Sequence, residues 1–172
     1  MIQFDKKILD LIQECILVWD KEGNKRISND KVYPLFGLAE ESIQNCHDIT
    51  QKWRFFDIHG KELPLDDLPI YKAMKTNSSA KDITLKMVNN EVTKWITTSA
   101  IPVFDETGGI EAIISTTLDI SSLKSQEFKY KKIANHDPLK KLPNRLLLSD
   151  RLEFAISHAN RNKTRIALWK ID

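Results

Sequence analysis

The apolar positions of the chain change period several times, and each change predicts an element. Phe4, Ile8, Leu11 and Ile12 recur at helical spacing and predict a short amphipathic helix at the start. "CILVWD" is a continuous apolar run that reads as a buried strand, and "KEGN" after it reads as a turn. From Asp30 to Asp48 the pattern is broken and predicts short helical pieces. "LDDLPIYKAMKTN" predicts another helix, with Pro69 in its first turn, where a missing N–H costs nothing.

The strongest signal follows. "DITLKMV", "TKWITTSAIPVF" and "IEAIISTTLDI" are rich in β-branched and aromatic residues, separated by Asn89-Asn90 and by "DETGG". Asn and Gly accept positive φ, so both separators read as hairpin turns. The expected fold class is α+β: a three-strand meander, completed by two N-terminal strands to a five-stranded antiparallel sheet with short helices on one side. "SSLKSQEFKYKKIANH" then predicts a helix capped by Ser121 or Ser122, with Leu123, Tyr130 and Ile133 along one stripe. Asn135 to Pro138 ends it. A further helix is expected from Pro143 to about Asn162, with Leu148, Leu152, Ile156 and Ala159 on one face. "TRIALWKID" reads as a final strand with Asp172 at its carboxyl end.

Composition narrows the class. With 172 residues, 41% of them hydrophobic, the chain can bury one full core plus extra elements. A net charge of +2 with both signs mixed does not select nucleic acid or a membrane surface as a partner. Lys124, Lys129, Lys131 and Lys132 give the late helix a basic face, which is read as solvated. No apolar run approaches the ~20 residues that span a bilayer, and the charged N-terminus is unlike a signal peptide, so the expected location is cytoplasmic. Cys15 and Cys46 form no C-x-x-C pair and read as packed thiols.

Two resemblances organise the whole. "DPLKKLPNR" resembles the D-x-L-T-G-L-x-N-R motif that opens GGDEF domains, the diguanylate cyclase family, with Asp137, Leu139, Leu142, Asn144 and Arg145 matching. It departs at Lys140 and Lys141, where the family has Thr and Gly. An Asp137–Arg145 ion pair shaping the turn is expected. The helix and strand that follow look like the family's first helix and first strand, and Asp172 falls on the position of its first metal-binding Asp. Upstream, the strand order, "LPLDDLPIYKAMKT" and the ending "LDIS" resemble a PAS domain. Asp119 and Ser121 match the family's Asp-Ile-Thr ending, with Ser in place of Thr, and are the expected signal-coupling residues.

The resemblances divide the chain into a PAS sensor (residues 1–121), a linker helix (122–136) and the N-terminal part of a GGDEF domain (137–172). They imply a bacterial-type sensory module whose parent makes cyclic di-GMP from GTP with Mg. The Gly-Gly-Asp/Glu-Glu-Phe turn and the second metal-binding carboxylate are not in this sequence, so the chain itself is expected to be inactive and to carry no cofactor. Asp172 would ligate metal only in a full-length parent. A hybrid with a phosphodiesterase, or a stand-alone binding or dimerising module, are the alternatives. Trp53, Tyr71 and Trp95 are candidates to line a pocket for an unknown small-molecule signal, against the plainer reading as core or surface aromatics. "QNCHD" around Cys46 shares only Asn and Cys with the Asn-Cys-Arg-Phe-Leu-Gln motif of flavin-binding LOV domains, a PAS branch. Neither His47 nor His59 lies where a PAS haem ligand would. A homodimer through the linker helix and the N-terminal helix is expected.

Overall fold

A computed structural model describes residues 6–135 and 144–167. The chain divides into two compact units, Met1–Ser122 and Leu123–Asp172. The first holds an antiparallel sheet of β1 (Cys15–Trp19), β2 (Lys25–Ser28), β3 (Arg54–Phe56), β4 (Ala80–Val88), β5 (Thr93–Phe104) and β6 (Ile110–Asp119). Their spatial order is β2-β1-β6-β5-β4-β3. The expected meander forms β4, β5 and β6, joined at the predicted turns. Asp105 organises the second turn by accepting from the backbone N–H groups of Thr107 and Gly109.

The sheet has six strands where the pattern predicted five. The additional one, β3, is three residues long, too short for a period of two to announce itself. It pairs antiparallel with β4, Phe55 opposite Met87. Arg54 grips Glu62 through two hydrogen bonds of 2.7 and 2.6 Å.

Alternation along the strands separates two faces. Cys15, Leu17, Trp19, Leu85, Met87, Ile96, Ala100 and Ile113 point inward to the main core. Helices α2 (Val32–Phe36), α3 (Cys46–Lys52) and α4 (Pro69–Thr76) cover that face, together with 3-10 turns at Glu40–Ser42 and Leu65–Asp67. Pro69 occupies the first turn of α4, as its sequence predicts. Gly23 has φ +85, and a Cβ there would stand 2.9 Å from the Cys46 Sγ, so both conformation and space require glycine. On the opposite face Ile16, Val18 and Ala112 form a smaller cluster, with Leu9, Ile27, Val103 and Ile114 packed against it.

The N-terminal helix differs from expectation. α1 spans only Lys6–Asp10, Ile8 and Leu11 are exposed, and Leu9 is the residue that packs. The cause is Asn29, whose amide takes the carbonyls of Leu9 and Glu14 and ends the helix ahead of β1. Phe4 lies outside the described residues.

α5 (Ser121–Asn135) starts with the last two residues of the first unit and runs on into the second, and Ser121 does not cap it as expected: its own N–H is held by Asp119 Oδ1, and its hydroxyl accepts the Trp95 N–H. α6 (Arg145–Asn162) begins two residues after Pro143, because the Asn144 side chain accepts the Leu147 N–H at 3.0 Å and acts as N-cap. On its expected apolar face Ala159 is buried, whereas Leu148 and Ile156 are exposed. The predicted final strand is corrected in part: residues 164–167 form no strand. A strand satisfies its backbone only through a neighbouring strand, and the regular elements described in this unit are helices. Residues 168–172 lie outside the described residues.

Candidate functional site

Between the inner sheet face and the helical layer lies a cavity of about 70 Å³. Leu17, Trp19, Phe36, Ile49, Leu85 and Ile96 give it an apolar wall, and Cys46, Thr50, Thr98, Ser115 and Thr117 bring the polar atoms. Those atoms are largely satisfied within the protein. Ser115 Oγ accepts from Trp19 Nε1 at 2.8 Å and donates to the Leu17 carbonyl at 3.2 Å. Thr98 donates to the Thr116 carbonyl at 3.0 Å and shares a 3.0 Å hydrogen bond with Thr117. Burial pushes the Cys46 thiol up from its ordinary pKa, only partly offset by a hydrogen bond with Tyr71. Cys15, also in the core, is pushed up to about 12 by burial. Both thiols are therefore neutral and poor nucleophiles.

The three aromatic candidates are parted. Trp53 is buried and donates its Nε1–H to the Phe36 carbonyl at 2.9 Å, so it pins α2 without lining the cavity. Tyr71 lies beside the cavity in α4. Its hydroxyl pairs with His47 Nδ1 at 2.9 Å, and burial raises its pKa to about 12. Trp95 neighbours inward-facing Ile96 on β5, so strand alternation turns it to the opposite face. The cavity's polar atoms come instead largely from small hydroxyl residues that carry no distinctive mark in the sequence.

Asp119 and Ser121 do meet, at the joint between β6 and α5. Asp119 Oδ1 accepts the Ser121 N–H at 2.9 Å. Ser121 Oγ accepts the Trp95 N–H at 2.9 Å, and the Ile120 N–H reaches the Trp95 carbonyl at 2.8 Å. Lys94, which the sequence did not single out, stands next to this joint with its Nζ 3.8 Å from Asp119 Oδ2.

Of the GGDEF-like motif, Asn144 is the N-cap of α6 and Arg145 its first residue. Asp137, Leu139 and Leu142 lie outside the described residues, as does Asp172. The expected Asp137–Arg145 pair therefore falls outside them too. Among the described residues no group of three or more His, Cys, Asp or Glu could hold a metal ion, and no helix is long and apolar enough to cross a membrane.

No family model matches the chain, and no curated protein matches it. Solved structures do. A light-oxygen-voltage domain studied with a flavin analogue is 14% identical, over 74% of this chain and 93% of that one, with a TM-score of 0.51. An RNA-binding light-oxygen-voltage receptor is 17% identical, over 74% of this chain and 35% of that one, with a TM-score of 0.52. The N-terminal domain of a diguanylate cyclase with a PAS/PAC sensor from Marinobacter aquaeolei is 15% identical, over 65% of this chain and 99% of that one, with a TM-score of 0.48. The fold of the first unit is PAS-like, an antiparallel sheet with flanking helices.

Flavin does not fit this site. The cavity of about 70 Å³ is smaller than the roughly 150 Å³ that encloses a single benzene ring. Its walls offer hydroxyls that already have partners, with no side-chain amide for a flavin's polar edge. Cys46, the cysteine of the two-residue likeness to the LOV motif, is protonated and packed.

Proposed function

We propose that the chain is the sensory part of a longer protein in which α5 carries the state of the PAS module to a GGDEF output that makes cyclic di-GMP from two GTP. One observation carries this reading. The last strand of the sheet passes straight into α5 through the hydrogen-bonded Asp119–Ser121 joint, and "DPLKKLPNR" follows that helix. A signal changes output only if it favours one arrangement of such a joint over another. The domain boundaries follow from the same reading: sensor to residue 121, linker to 136, GGDEF start from 137. In the parent, Asp172 would be one ligand of the Mg that accompanies GTP.

The test uses both the present chain and the parent. Incubated with GTP and Mg, the chain of 172 residues is expected to give no cyclic di-GMP by chromatography, because the nucleotide-binding groups are not in its sequence. The parent is expected to make the product, and D119A or S121A in it to change the rate at least several-fold. Product from the short chain, or a parent whose rate ignores both substitutions, overturns the proposal.

A further inference from the structure

We infer that Lys94 is a shared cation that couples the helical wall of the cavity to the start of α5. The carbonyls ending a helix have no partner within it, and those of α2 are taken one by one. Gly37 N–H bonds to the Tyr33 carbonyl, Trp53 Nε1 to that of Phe36 and Lys52 Nζ to that of Gly37. The remaining two, Pro34 and Leu35, both accept from Lys94 Nζ, at 2.8 and 2.6 Å. Trp53 and Lys52 belong to the end of α3, so among these donors Lys94 is the one supplied by the sheet.

The same ammonium stands 3.8 Å from Asp119 Oδ2, outside hydrogen-bond distance. The other oxygen of that carboxylate holds the first N–H of α5, on Ser121. Lys94 therefore has two sets of acceptors, and it now sits on α2. α2 carries Phe36 in the cavity wall. If a guest in the cavity moves α2 outward, the carbonyls withdraw. The ammonium then closes on Asp119, and the carboxylate turns from the Ser121 N–H to the cation. The cavity's occupancy is thereby read as the firmness of the cap on α5. Lys94 exchanges two hydrogen bonds to neutral carbonyls for one to a carboxylate, which is the stronger kind, so the losses and gains offset each other as a switch requires.

The inference deepens the proposed sensory function by naming its regulatory contact. Amide exchange on the present chain tests it apart from any cyclase output, so either idea can fail alone. Exchange is read at Gly37 and Ser121, relative to Leu85 in the sheet. In K94M the Gly37 amide is expected to exchange about tenfold faster, the effect of losing a charge-assisted hydrogen bond, and Ser121 several-fold slower, because no ammonium then draws Asp119 from its N–H. K94Q keeps a donor for α2 but no charge for Asp119, so Ser121 is expected to slow while Gly37 hardly changes. F36L, which loosens α2, is expected to change exchange at Ser121 in the wild-type background and to add nothing in K94M, the non-additivity that marks coupling. A Ser121 that is unchanged or faster in K94M, or equal F36L effects in both backgrounds, overturns the inference. If K94M does not fold, the same F36L cycle in K94Q decides: additive effects overturn it and non-additive ones support it.

Discussion

Asn29 has no exposed surface, and its side chain ties together pieces that the sequence leaves unrelated. Oδ1 accepts the Ile16 N–H at 2.9 Å, and Nδ2 donates to the carbonyls of Leu9 at 3.1 Å and Glu14 at 2.8 Å. It therefore holds α1, the turn after it and β1 at once. N29A strands these buried groups and is expected to cost about 3 kcal/mol in urea unfolding. N29D keeps the acceptor but aims a second oxygen at two carbonyls, so at pH 7 it is expected to be no better than N29A. A loss below about 1 kcal/mol in N29A would show that water replaces the clamp. In the sequence this residue sits in "SNDK" and reads only as turn chemistry. The cavity was equally hidden: the eye goes to Trp53, Tyr71 and Trp95, while Thr98, Ser115 and Thr117 are common strand residues. Strand parity was the available signal. Ile96 belongs to the core, so neighbouring Trp95 had to face away, whereas Thr98 had to face in. The joint was legible through Asp119 and Ser121 because it depends on local sequence. Lys94 was not, because its partners lie 60 and 59 residues away.

At the scale of elements, aspartates at loop and helix starts recur as the device that sets where structure begins. Asn45 and Asp48 form a capping box on α3: Asn45 Oδ1 takes the His47 N–H, and Asp48 reaches back to the N–H groups of Gln44 and Asn45. Those two backbone bonds hold the Asp48 carboxyl below the ordinary carboxylate range. A carboxylate lowered in the folded state contributes stability above its unfolded pKa of about 3.9, and the contribution is lost as pH falls through the folded value. Asp57 and Asp105 are lowered in the same way, chiefly by the Lys61 N–H and the Thr107 hydroxyl. Stability is thus expected to fall below about pH 4. D48N is expected to lower the urea midpoint at pH 7 but to match the wild type once pH drops below the folded value. An equal deficit at both pH values would assign the effect to lost geometry instead of charge. Elements whose signal is local were readable in this way: the hairpins from Asn89-Asn90 and "DETGG", the proline start of α4, the helix after Asp119. β3 was not, since three residues cannot show a period, and residues 164–167 misled because the strand preference of Thr164 and Ile166 is only half of a strand. The other half is a neighbour. Pro102 within β5 shows the reverse case: β4 ends its pairing at Ala80 opposite Ala100, so Pro102 stands where the strand has become an edge.

For the whole molecule the expected association is a parallel homodimer, and α5 carries the clearest reason. Leu123 is 61% exposed and Tyr130 is 70% exposed, seven residues apart on one stripe of the helix. Seven is the spacing of a coiled-coil seam. Beside that stripe Glu127 bonds Lys124 at 2.9 Å and Lys131 at 2.6 Å. These contacts pull the Glu127 carboxyl down to about 2, with the Lys131 hydrogen bond the largest cause, so its charge stays paired within one helix at any ordinary pH. The Glu127 carboxylate therefore adds no unpaired negative charge beside Leu123 and Tyr130. α5 is 15 residues long, barely two heptads, and a lone helix of that length is marginal in water. The seam therefore needs help from other apolar surface, and Ile8 and Leu11 of the N-terminal segment are exposed and supply a candidate. Replacing Leu123 and Tyr130 together with Glu sets like charges across the seam and is expected to convert dimer to monomer in light scattering. The pair is exposed, so the thermal midpoint of the sheet-bearing unit should hardly move apart from the loss due to dissociation. A wild type that is already monomeric at high concentration, or a double variant that remains dimeric, would remove α5 from the interface. The second result would point instead to the apolar sheet face around Ile101 and Leu118, both partly exposed, which the substitutions leave untouched.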